Sequence, residues 1–386
     1  MRFVVEGGSD RQDPLIAPLG TLLDQSEIAS KKRGVRGSWA RQDLFVRGLE
    51  LRVGLDVVED ESQQKLALTD RLWVPPMLYK STAPWMQLSY DLGPVTVSGG
   101  FRREDGELTV ENYTTTYFRN RVDVQGGTLS YKENLPNIGV IWRLPANWSV
   151  FAAYGKGFSL PNVGIPLRNG NIPGQSVAGI LDLQAVVVDN KEVGFNWRGA
   201  RTNVSASYYQ SESDFGVSLA IDPVTNDFIM RRLPVEIKGF EASADFALTP
   251  SLKVGALYSR IRGKTVFAEG GPLIREMGVL DINPDKIGTW MSWKFSERGD
   301  LRLGSTTLMS RDVNDGRGDS FEEHTKGYTL FDLGVNYDLK KYGKLTLGVE
   351  NLMDKFYILS WSQVVGFRNF WAGRGRVVSL THTLKF

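Results

Sequence analysis

Residues that could do covalent or metal chemistry are scarce in this sequence. It contains no cysteine, and its two histidines are His324 and His382. Without cysteine there is no disulfide framework, zinc–thiolate cluster or thiol nucleophile. Two histidines this far apart in sequence do not suggest a histidine-rich metal site or a proton relay, and the neighbouring carboxylates Glu322 and Glu323 are expected to be solvated in a loop. We therefore expect no catalytic residue, no metal site and no cofactor, and we do not expect an enzyme.

The overall charge and hydropathy exclude several other classes of protein. Lysine and arginine number 46 against 44 aspartates and glutamates, which gives a net charge of +2 and no general attraction for nucleic acid. The apolar stretches, such as 185–188, are far shorter than the roughly 18 residues of a spanning helix. A membrane β-barrel is still compatible with the mean hydropathy of −0.22, because its strands alternate apolar and polar residues.

Short turn signals recur along the chain at a nearly constant interval. Their centres lie near residues 42, 92, 146, 200, 250, 298 and 341, which are 43 to 54 residues apart. Each interval holds two strand-like stretches separated by a longer polar, glycine-rich segment. The repeating unit is therefore predicted to be a β-hairpin with a tight turn at one end and a long loop at the other.

The stretches beside the turns alternate between apolar and polar residues, as strands with two different faces do. Every odd position of 331–337 and every even position of 240–248 is apolar. Such stretches run for about 9 to 12 residues, the length a tilted strand needs to cross a bilayer. An aromatic residue precedes each tight turn, which predicts an aromatic girdle at that membrane surface. These residues are Trp39, Tyr90, Trp142, Trp197, Phe246, Phe295 and Tyr337.

Long loops are predicted on the side opposite the tight turns. They cover 59–82, 104–133, 158–183, 211–227, 262–284, 311–326 and 357–373. Short turns on one side and long loops on the other are typical of outer-membrane barrels. The fold class is therefore predicted to be all-β, a transmembrane antiparallel β-barrel of the outer-membrane type, with about 16 strands.

Three segments resemble the C-terminal barrel region of TonB-dependent outer-membrane receptors. Residues 349–357 are similar to that family's Asn-Leu-Phe-Asp…Tyr segment, with Met353 in place of the usual Phe. Residues 154–161 resemble its Tyr…Gly-Phe…Pro stretch, and Gly373-Arg374 with the terminal Phe386 resembles its closing pattern, with Ala372 in place of Pro. The last strand, ending in Phe386, also resembles the assembly signal of Gram-negative outer-membrane proteins.

The resemblance implies a location, partners and a larger whole. Such receptors have about 22 strands, a signal peptide, an N-terminal plug and a segment that engages TonB. We expect 1–386 to be the C-terminal part of such a barrel, a fragment without plug, signal peptide or TonB-contact motif. The outer membrane of a Gram-negative bacterium is the expected location. Its lipid and, through Phe386, the barrel assembly machinery are the expected partners; TonB is expected only for full-length members.

The resemblance also implies a function, the uptake of a ferric siderophore or a similar iron chelate. In this family arginines and aromatic residues of the loops and lumen often hold the ligand. The principal candidates are Trp361, Phe367, Arg368, Phe370, Trp371 and Arg168. Further candidates are Arg231, Arg232, Arg275, Arg317, Phe267 and Phe321. Arginine would pair with anionic groups of the chelate while the rings cover its apolar part.

Two other functions remain open at this point. A passive porin-like channel is possible, because 16 strands can close into a barrel. A soluble β-propeller binding protein is the other alternative, because its blades also repeat every 40 to 50 residues. A propeller needs four short strands per repeat, whereas two long ones are predicted here.

Overall fold

The computed structural model describes residues 2–9, 24–66, 70–116, 121–160, 163–170, 172–181, 185–221, 228–268, 270–314, 322–363 and 371–384. Most of these residues form strands. In chain order the strands are β1 (Arg2–Ser9), β2 (Asp24–Arg41), β3 (Leu49–Leu66), β4 (Arg71–Leu92), β5 (Val95–Val110), β6 (Tyr113–Thr114), β7 (Asp123–Val124), β8 (Gly127–Leu144), β9 (Trp148–Ser159), β10 (Val186–Arg198), β11 (Thr202–Ile221), β12 (Phe228–Ala247), β13 (Leu252–Thr265), β14 (Arg275–Glu276), β15 (Lys286–Trp293), β16 (Gly299–Leu308), β17 (Arg311–Asn314), β18 (Glu322–Thr325), β19 (Tyr328–Asp338), β20 (Lys344–Glu350) and β21 (Val377–Thr383).

Helices in the described residues are short. Two are α-helices, α1 (Gly164–Arg168) and α2 (Val177–Leu181), and three are single 3₁₀ turns at Pro145–Asn147, Lys340–Tyr342 and Ser360–Ser362. None of the helices in the described part of the chain is long and apolar enough to cross a membrane.

Sixteen of the described strands form one antiparallel meander. Its order is β1, β2, β3, β4, β5, β8, β9, β10, β11, β12, β13, β15, β16, β19, β20 and β21, each paired with the next. The remaining short strands decorate the loops: β14 adds to β13, while β6–β7 and β17–β18 form separate hairpins. The predicted fold class and strand number are confirmed. A single meander of this kind is not divided into blades, so the propeller alternative is wrong.

The seven predicted tight turns all join consecutive strands of the meander. The shortest lies between Leu92 and Val95, and two others contain the 3₁₀ turns Pro145–Asn147 and Lys340–Tyr342. Gly343 has φ of +88°, and a Cβ there would lie 2.2 Å from the Thr383 carbonyl oxygen, so this turn requires glycine. The turns therefore lie at one end of the sheet and the long connections at the other.

Three of the predicted long loops were wrong, because strands occupy most of them. In 104–133 these are the ends of β5 and β8 and the short β6–β7 hairpin. β3 and β4 have 18 and 22 residues and fill most of 59–82, while β11 has 20 residues and fills well over half of 211–227. These strands are longer than the predicted 9 to 12 residues. Beyond the membrane both strand faces meet water, so the apolar–polar alternation stops although the backbone pairing continues. The sequence pattern therefore marks the spanning part of each strand and not its end.

The strand register separates the sheet into an outward and an inward face. One row of directly paired residues is apolar across six strands: Leu252, Trp293, Leu301, Val335, Leu347 and Leu380. The next row, on the opposite face, is polar or glycine: Lys253, Ser292, Arg302, Gly334, Gly348 and Ser379. We call the apolar side the outward face, since Leu380 and Val378 are 71% and 62% exposed and lipid is the medium that accepts such residues.

Aromatic residues of the outward face gather at the tight-turn end. The rings of Trp148 and Trp197 lie 5.8 Å apart, and those of Phe295 and Tyr337 stack at 6.5 Å. Trp39 and Trp142 are about half exposed. The predicted girdle is therefore present as an aromatic belt beside the turns, where ring bodies can meet lipid and polar tips can meet headgroups.

The inward face is concave. Helix α1 contacts both β4 and β12, although five strands of the meander lie between them. Leu167 of α1 packs against Tyr79 and Leu108, which lie on the face opposite to the apolar row. A five-residue helix can touch both strands only if the sheet curves around it. The inward face therefore lines a lumen, and α1 lies inside it near the loop end.

Candidate functional site

A small hydrophobic cluster holds a segment of the connection between β9 and β10 against the inward face. We call this segment the cap; it comprises 163–170 and 172–181, including α1 and α2. Leu167 and Val177 of the cap are completely buried, and they pack with buried side chains of the wall and of the β6–β7 hairpin. These partners are Leu108, Val110, Val124 and Tyr131.

Polar contacts fix the cap in place. The Tyr113 hydroxyl donates a hydrogen bond to the Leu167 carbonyl oxygen at 2.8 Å, and burial raises the pKa of Tyr113 to about 12. The Val177 amide donates to the Gln125 carbonyl at 2.8 Å, and the Gln125 amide donates to the Gln175 carbonyl at 3.0 Å. Because both apolar burial and backbone hydrogen bonds hold it, the cap is fixed against the inward face of the wall.

Arg168 is the predicted ligand residue that the cap carries. Its guanidinium carbon lies 5.6 Å from the centre of the Trp73 ring of β4. Across the same lumen, Arg232 of β12 donates to the Phe215 carbonyl at 3.2 Å and acts electrostatically on the Tyr131 hydroxyl of β8. Two arginines and two aromatic rings from four elements thus share the loop end of the lumen.

Two further predicted ligand residues, Trp361 and Trp371, lie in the connection between β20 and β21. The rings of Trp361 and Trp371 are 5.3 Å apart at an angle of 54°. The Trp371 amide donates to the Ser362 hydroxyl at 3.1 Å, and its carbonyl accepts from the Leu359 amide at 2.9 Å. The structure therefore brings these two predicted residues together. Whether they touch a ligand stays a prediction.

A cleft of about 380 Å³ separates this connection from the inward face of the wall. Trp361, Leu359 and Ser360 form one side of it, and the Ser360 hydroxyl donates to the Asn283 side-chain oxygen at 3.1 Å. The wall side comes from β13, β15, β16 and β19: Ser259, Ile261, Lys286, Thr306, Leu308 and Tyr328. Helix α1, which carries Arg168, contacts β12, and the cleft beside Trp361 lies on β13. The predicted ligand residues therefore occupy neighbouring parts of the wall.

Several predicted residues lie elsewhere or cannot be placed. Phe367, Arg368, Phe370, Arg317 and Phe321 lie outside the described residues, as does Phe386, and the side chain of Arg231 is likewise not described. Arg275 belongs to β14, and Phe267 lies just after β13 with 37% of its surface exposed.

A charged network on the inward face was not predicted from the sequence. Asp56 accepts from the Arg36 Nε at 3.0 Å and from Arg102 at 2.7 Å, and Arg102 contacts Glu104 at 2.8 Å. Asp56 and Glu104 are 5% and 6% exposed. Alternation places each of these residues on the inward face, but only the register of β2 to β5 shows that they meet. The network gives this part of the wall a charged, hydrogen-bonded surface.

The Asn-Leu-Met-Asp motif that carried the resemblance has a structural role here. Asn351 is 4% exposed, and its side chain donates to the carbonyls of Lys355 and Arg374 and accepts from the Lys355 amide. Asp354 accepts from the Arg376 amide at 2.8 Å. The motif therefore joins the two ends of the connection that holds Trp361 and Trp371.

Comparison with known proteins decides the family. The sequence model described as "TonB dependent receptor-like, beta-barrel" matches residues 58–352. The chain belongs to this family. The family consists of receptors, and its members are proteins of the outer membrane of Gram-negative bacteria, which places this chain there.

The chain aligns with only part of each of its sequence relatives. The ferric aerobactin receptor of Klebsiella pneumoniae is 24% identical over 335 residues, which is 79% of this chain and 44% of that receptor. The rhizobactin receptor of Rhizobium meliloti is 24% identical over 251 residues, 62% of this chain and 32% of that receptor. The chain thus spans less than half the length of the curated relatives it matches.

Solved structures show the same fold. The copper transporter OprC superposes with a TM-score of 0.71 at 17% identity, covering 92% of this chain and 56% of that one. The ferric yersiniabactin uptake receptor FyuA from Yersinia pestis gives 0.69 at 14% identity, covering 94% and 55%. At such low identity these structures support the barrel architecture alone.

Proposed function

We propose that this chain is the barrel part of a receptor that takes up a ferric siderophore, or a similar iron chelate, across the outer membrane. The observation that carries the proposal is an arginine–aromatic group, Arg168 with Trp73, beside an aromatic pair, Trp361 with Trp371, in a family whose sequence relatives are named ferric aerobactin and rhizobactin receptors. The chelate is the transported ligand and not a resident cofactor.

The arginines and the aromatic residues would contact different parts of such a ligand. Arg168 and Arg232 supply guanidinium donors for anionic oxygens of the chelate, and such charge-assisted hydrogen bonds are strong. Trp73, Trp361 and Trp371 supply flat apolar surface for the rest of the molecule. The loop end is where a ligand from outside the cell arrives first, which makes these groups the initial binding surface.

Binding can be tested on the purified full chain with ferric aerobactin as the probe. Trp73, Trp361 and Trp371 make quenching of tryptophan fluorescence a suitable signal. We expect Arg168→Ala to weaken binding about tenfold, because one charge-assisted contact of roughly 1.4 kcal/mol is lost. Arg298→Ala, in a tight turn at the other end, is the matched control. Equal affinity of wild type and Arg168→Ala for ferric aerobactin would mean that Arg168 does not contribute to binding.

Energy coupling separates a receptor from a passive porin. We propose that TonB drives uptake by the full-length receptor whose barrel this chain would form, and that the barrel assembly machinery inserts that barrel through the terminal Phe386. Cells that lack their own siderophore receptors and express the full-length receptor would be supplied with radioactive ferric aerobactin, and uptake would be compared with and without TonB. Uptake that needs TonB supports the receptor, whereas equal uptake in both strains would mean a passive channel.

A further inference from the structure

A second cavity, of about 380 Å³, runs along the inward face of the wall, nearer to the tight turns than the cleft beside Trp361. It crosses β15, β16, β19 and β20, and inward residues of these four strands line it. Lys286 lines both cavities, so the cleft and the second cavity adjoin. We call this second cavity the trough.

The floor of the trough is bare backbone. Each of the four strands has a glycine there: Gly288, Gly304, Gly334 and Gly348. Packing does not require glycine at two of them, because a Cβ at Gly334 would meet no atom within 4 Å and one at Gly304 would lie 3.9 Å from the Thr289 carbonyl oxygen. Glycine weakens a strand interior, and it often marks a place where a ligand approaches the backbone closely.

A cation lies at each end of the trough. Lys286 lies toward the loops, and Arg302 lies toward the tight turns, paired with Ser292 six positions farther along β15. At a rise of roughly 3.3 Å per residue these two levels are about 20 Å apart along the strand. The Arg302 guanidinium carbon is 5.9 Å from the centre of the Trp290 ring, so the ring covers one face of the guanidinium and leaves its edge donors for a ligand. Between the two cations, Leu257 adds an apolar side chain.

Carboxylates also line the trough, but each has a partner of its own. Asp332 accepts a hydrogen bond from the Asn351 amide at 2.9 Å, and Glu350 contacts Arg374 at 3.6 Å. In the part of the chain that the structure describes, neither cation of the trough makes an ion pair, and both are exposed. An anion that enters the trough therefore meets two cations that no carboxylate contacts.

We propose that the trough is a binding site for an elongated organic anion with a carboxylate at each end and an apolar middle. Lysine and arginine donate strong, charge-assisted hydrogen bonds to carboxylates. Leu257 and the bare floor suit the apolar middle, because the glycines place no polar side chain there. The volume of about 380 Å³ lies within the roughly 300–1,000 Å³ of small-molecule sites. This site uses neither Arg168 nor the tryptophan pair, and it does not depend on uptake of an iron chelate.

The absence of cysteine allows a single thiol to be placed in the trough. The purified full chain with Gly334→Cys is reacted in detergent with methyl methanethiosulfonate, an uncharged reagent, with and without millimolar octanedioate. Intact mass spectrometry follows the modified fraction. We expect octanedioate to slow the modification about fivefold, because the bound anion covers the thiol for most of the time. Gly139→Cys, on the inward face of β8, is the matched control and should react at an unchanged rate.

The two cations are tested in the Gly334→Cys background. Lys286→Gln and Arg302→Gln should each remove most of the protection, whereas Lys253→Gln, which changes an inward lysine outside the trough, should keep it. Octanediamide has the same chain length without charge and should not protect. Heat-modifiable gel migration shows whether each variant is folded, and Gly304→Cys takes the place of Gly334→Cys if the latter does not fold.

Any of four results would overturn the proposal. The first is modification of the trough thiol at the same rate with and without octanedioate. The second is equal slowing of Gly139→Cys, which would mean a general block of the lumen. The third is protection by octanediamide, or protection that survives both charge substitutions, since apolar contact would then explain binding. The fourth is equal protection by inorganic phosphate, which would mean a site for any small anion. Ferric aerobactin is not used in this measurement, so its outcome is independent of the uptake experiment.

Discussion

At the residue scale, Asn351 shows how one side chain organises a connection. Its φ of 49° lies in the left-handed region, which asparagine tolerates better than most residues. Its side chain replaces backbone hydrogen bonds that the connection cannot form by itself, to Lys355 and to Arg374. Conformation and hydrogen bonding therefore both require asparagine at this position.

We expect Asn351→Ala to destabilise the barrel by roughly 3 kcal/mol. The change removes the hydrogen-bond partner of two carbonyls and one amide and places alanine at a positive φ. Urea unfolding in lipid vesicles, followed by tryptophan fluorescence, measures the free energy of unfolding. Asn134→Ala, at an exposed position of β8, is the control and should change it by less than about 0.5 kcal/mol. Equal effects would contradict the structural role of Asn351.

Residue contacts were only partly predictable. Trp361 and Trp371 are ten positions apart in one connection, so their contact follows from local chain geometry. The Asp56–Arg102 pair joins residues 46 positions apart, and the pair depends on the registers of β3, β4 and β5. Alternation fixes which face a side chain occupies but not which neighbour it meets. For this reason Arg168 was predicted only from the family resemblance, and the charged network was not predicted at all.

At the element scale, the alternation predicted the two faces but not the strand ends. The seven turns were found because proline, glycine and polar residues interrupt the pattern. The ends of β3, β4 and β11 were missed because a strand with water on both faces has no period-2 signal. The cap was missed for another reason: α1 and α2 have five residues each, too few for a helical period to show.

The face assignment predicts unequal effects for two arginine substitutions. Leu347 lies in the outward apolar row, so Leu347→Arg places a charge in lipid and should cost about 2–4 kcal/mol near the midplane. Gly348→Arg points into the lumen and should be milder, although its Cβ would lie 2.8 Å from the Ser379 hydroxyl. Gly334→Arg is the cleaner control, because no atom lies within 4 Å of a Cβ there.

Folding into lipid vesicles measures both changes. The free energy of unfolding in urea is compared for Leu347→Arg, Gly348→Arg and Gly334→Arg under identical conditions. The assignment requires the loss for Leu347→Arg to exceed that for Gly334→Arg by at least about 1 kcal/mol. A larger loss for Gly334→Arg would mean that the outward and inward faces have been assigned the wrong way round.

At the scale of the whole molecule, the cap changes what an open barrel would do. The sheet alone resembles the wall of a wide channel, and a passive pore is one of the functions the sequence allowed. The cap, however, reaches from β4 to β12 on the inward face, and its own buried cluster holds it there. A wall with such a segment inside conducts less than its strand number suggests, because the segment reduces the open cross-section.

Detaching the cap should therefore enlarge the pore. Leu167→Asp puts a carboxylate into a completely buried site, and this cost greatly exceeds that of releasing a short segment into water. We expect a higher single-channel conductance in planar bilayers for Leu167→Asp than for wild type. Ile172→Asp, in the same segment but 59% exposed, is the matched control and should conduct as wild type does. If all three proteins conduct equally, the cap does not narrow the lumen, and the restriction on solute flow has to come from another part of the receptor.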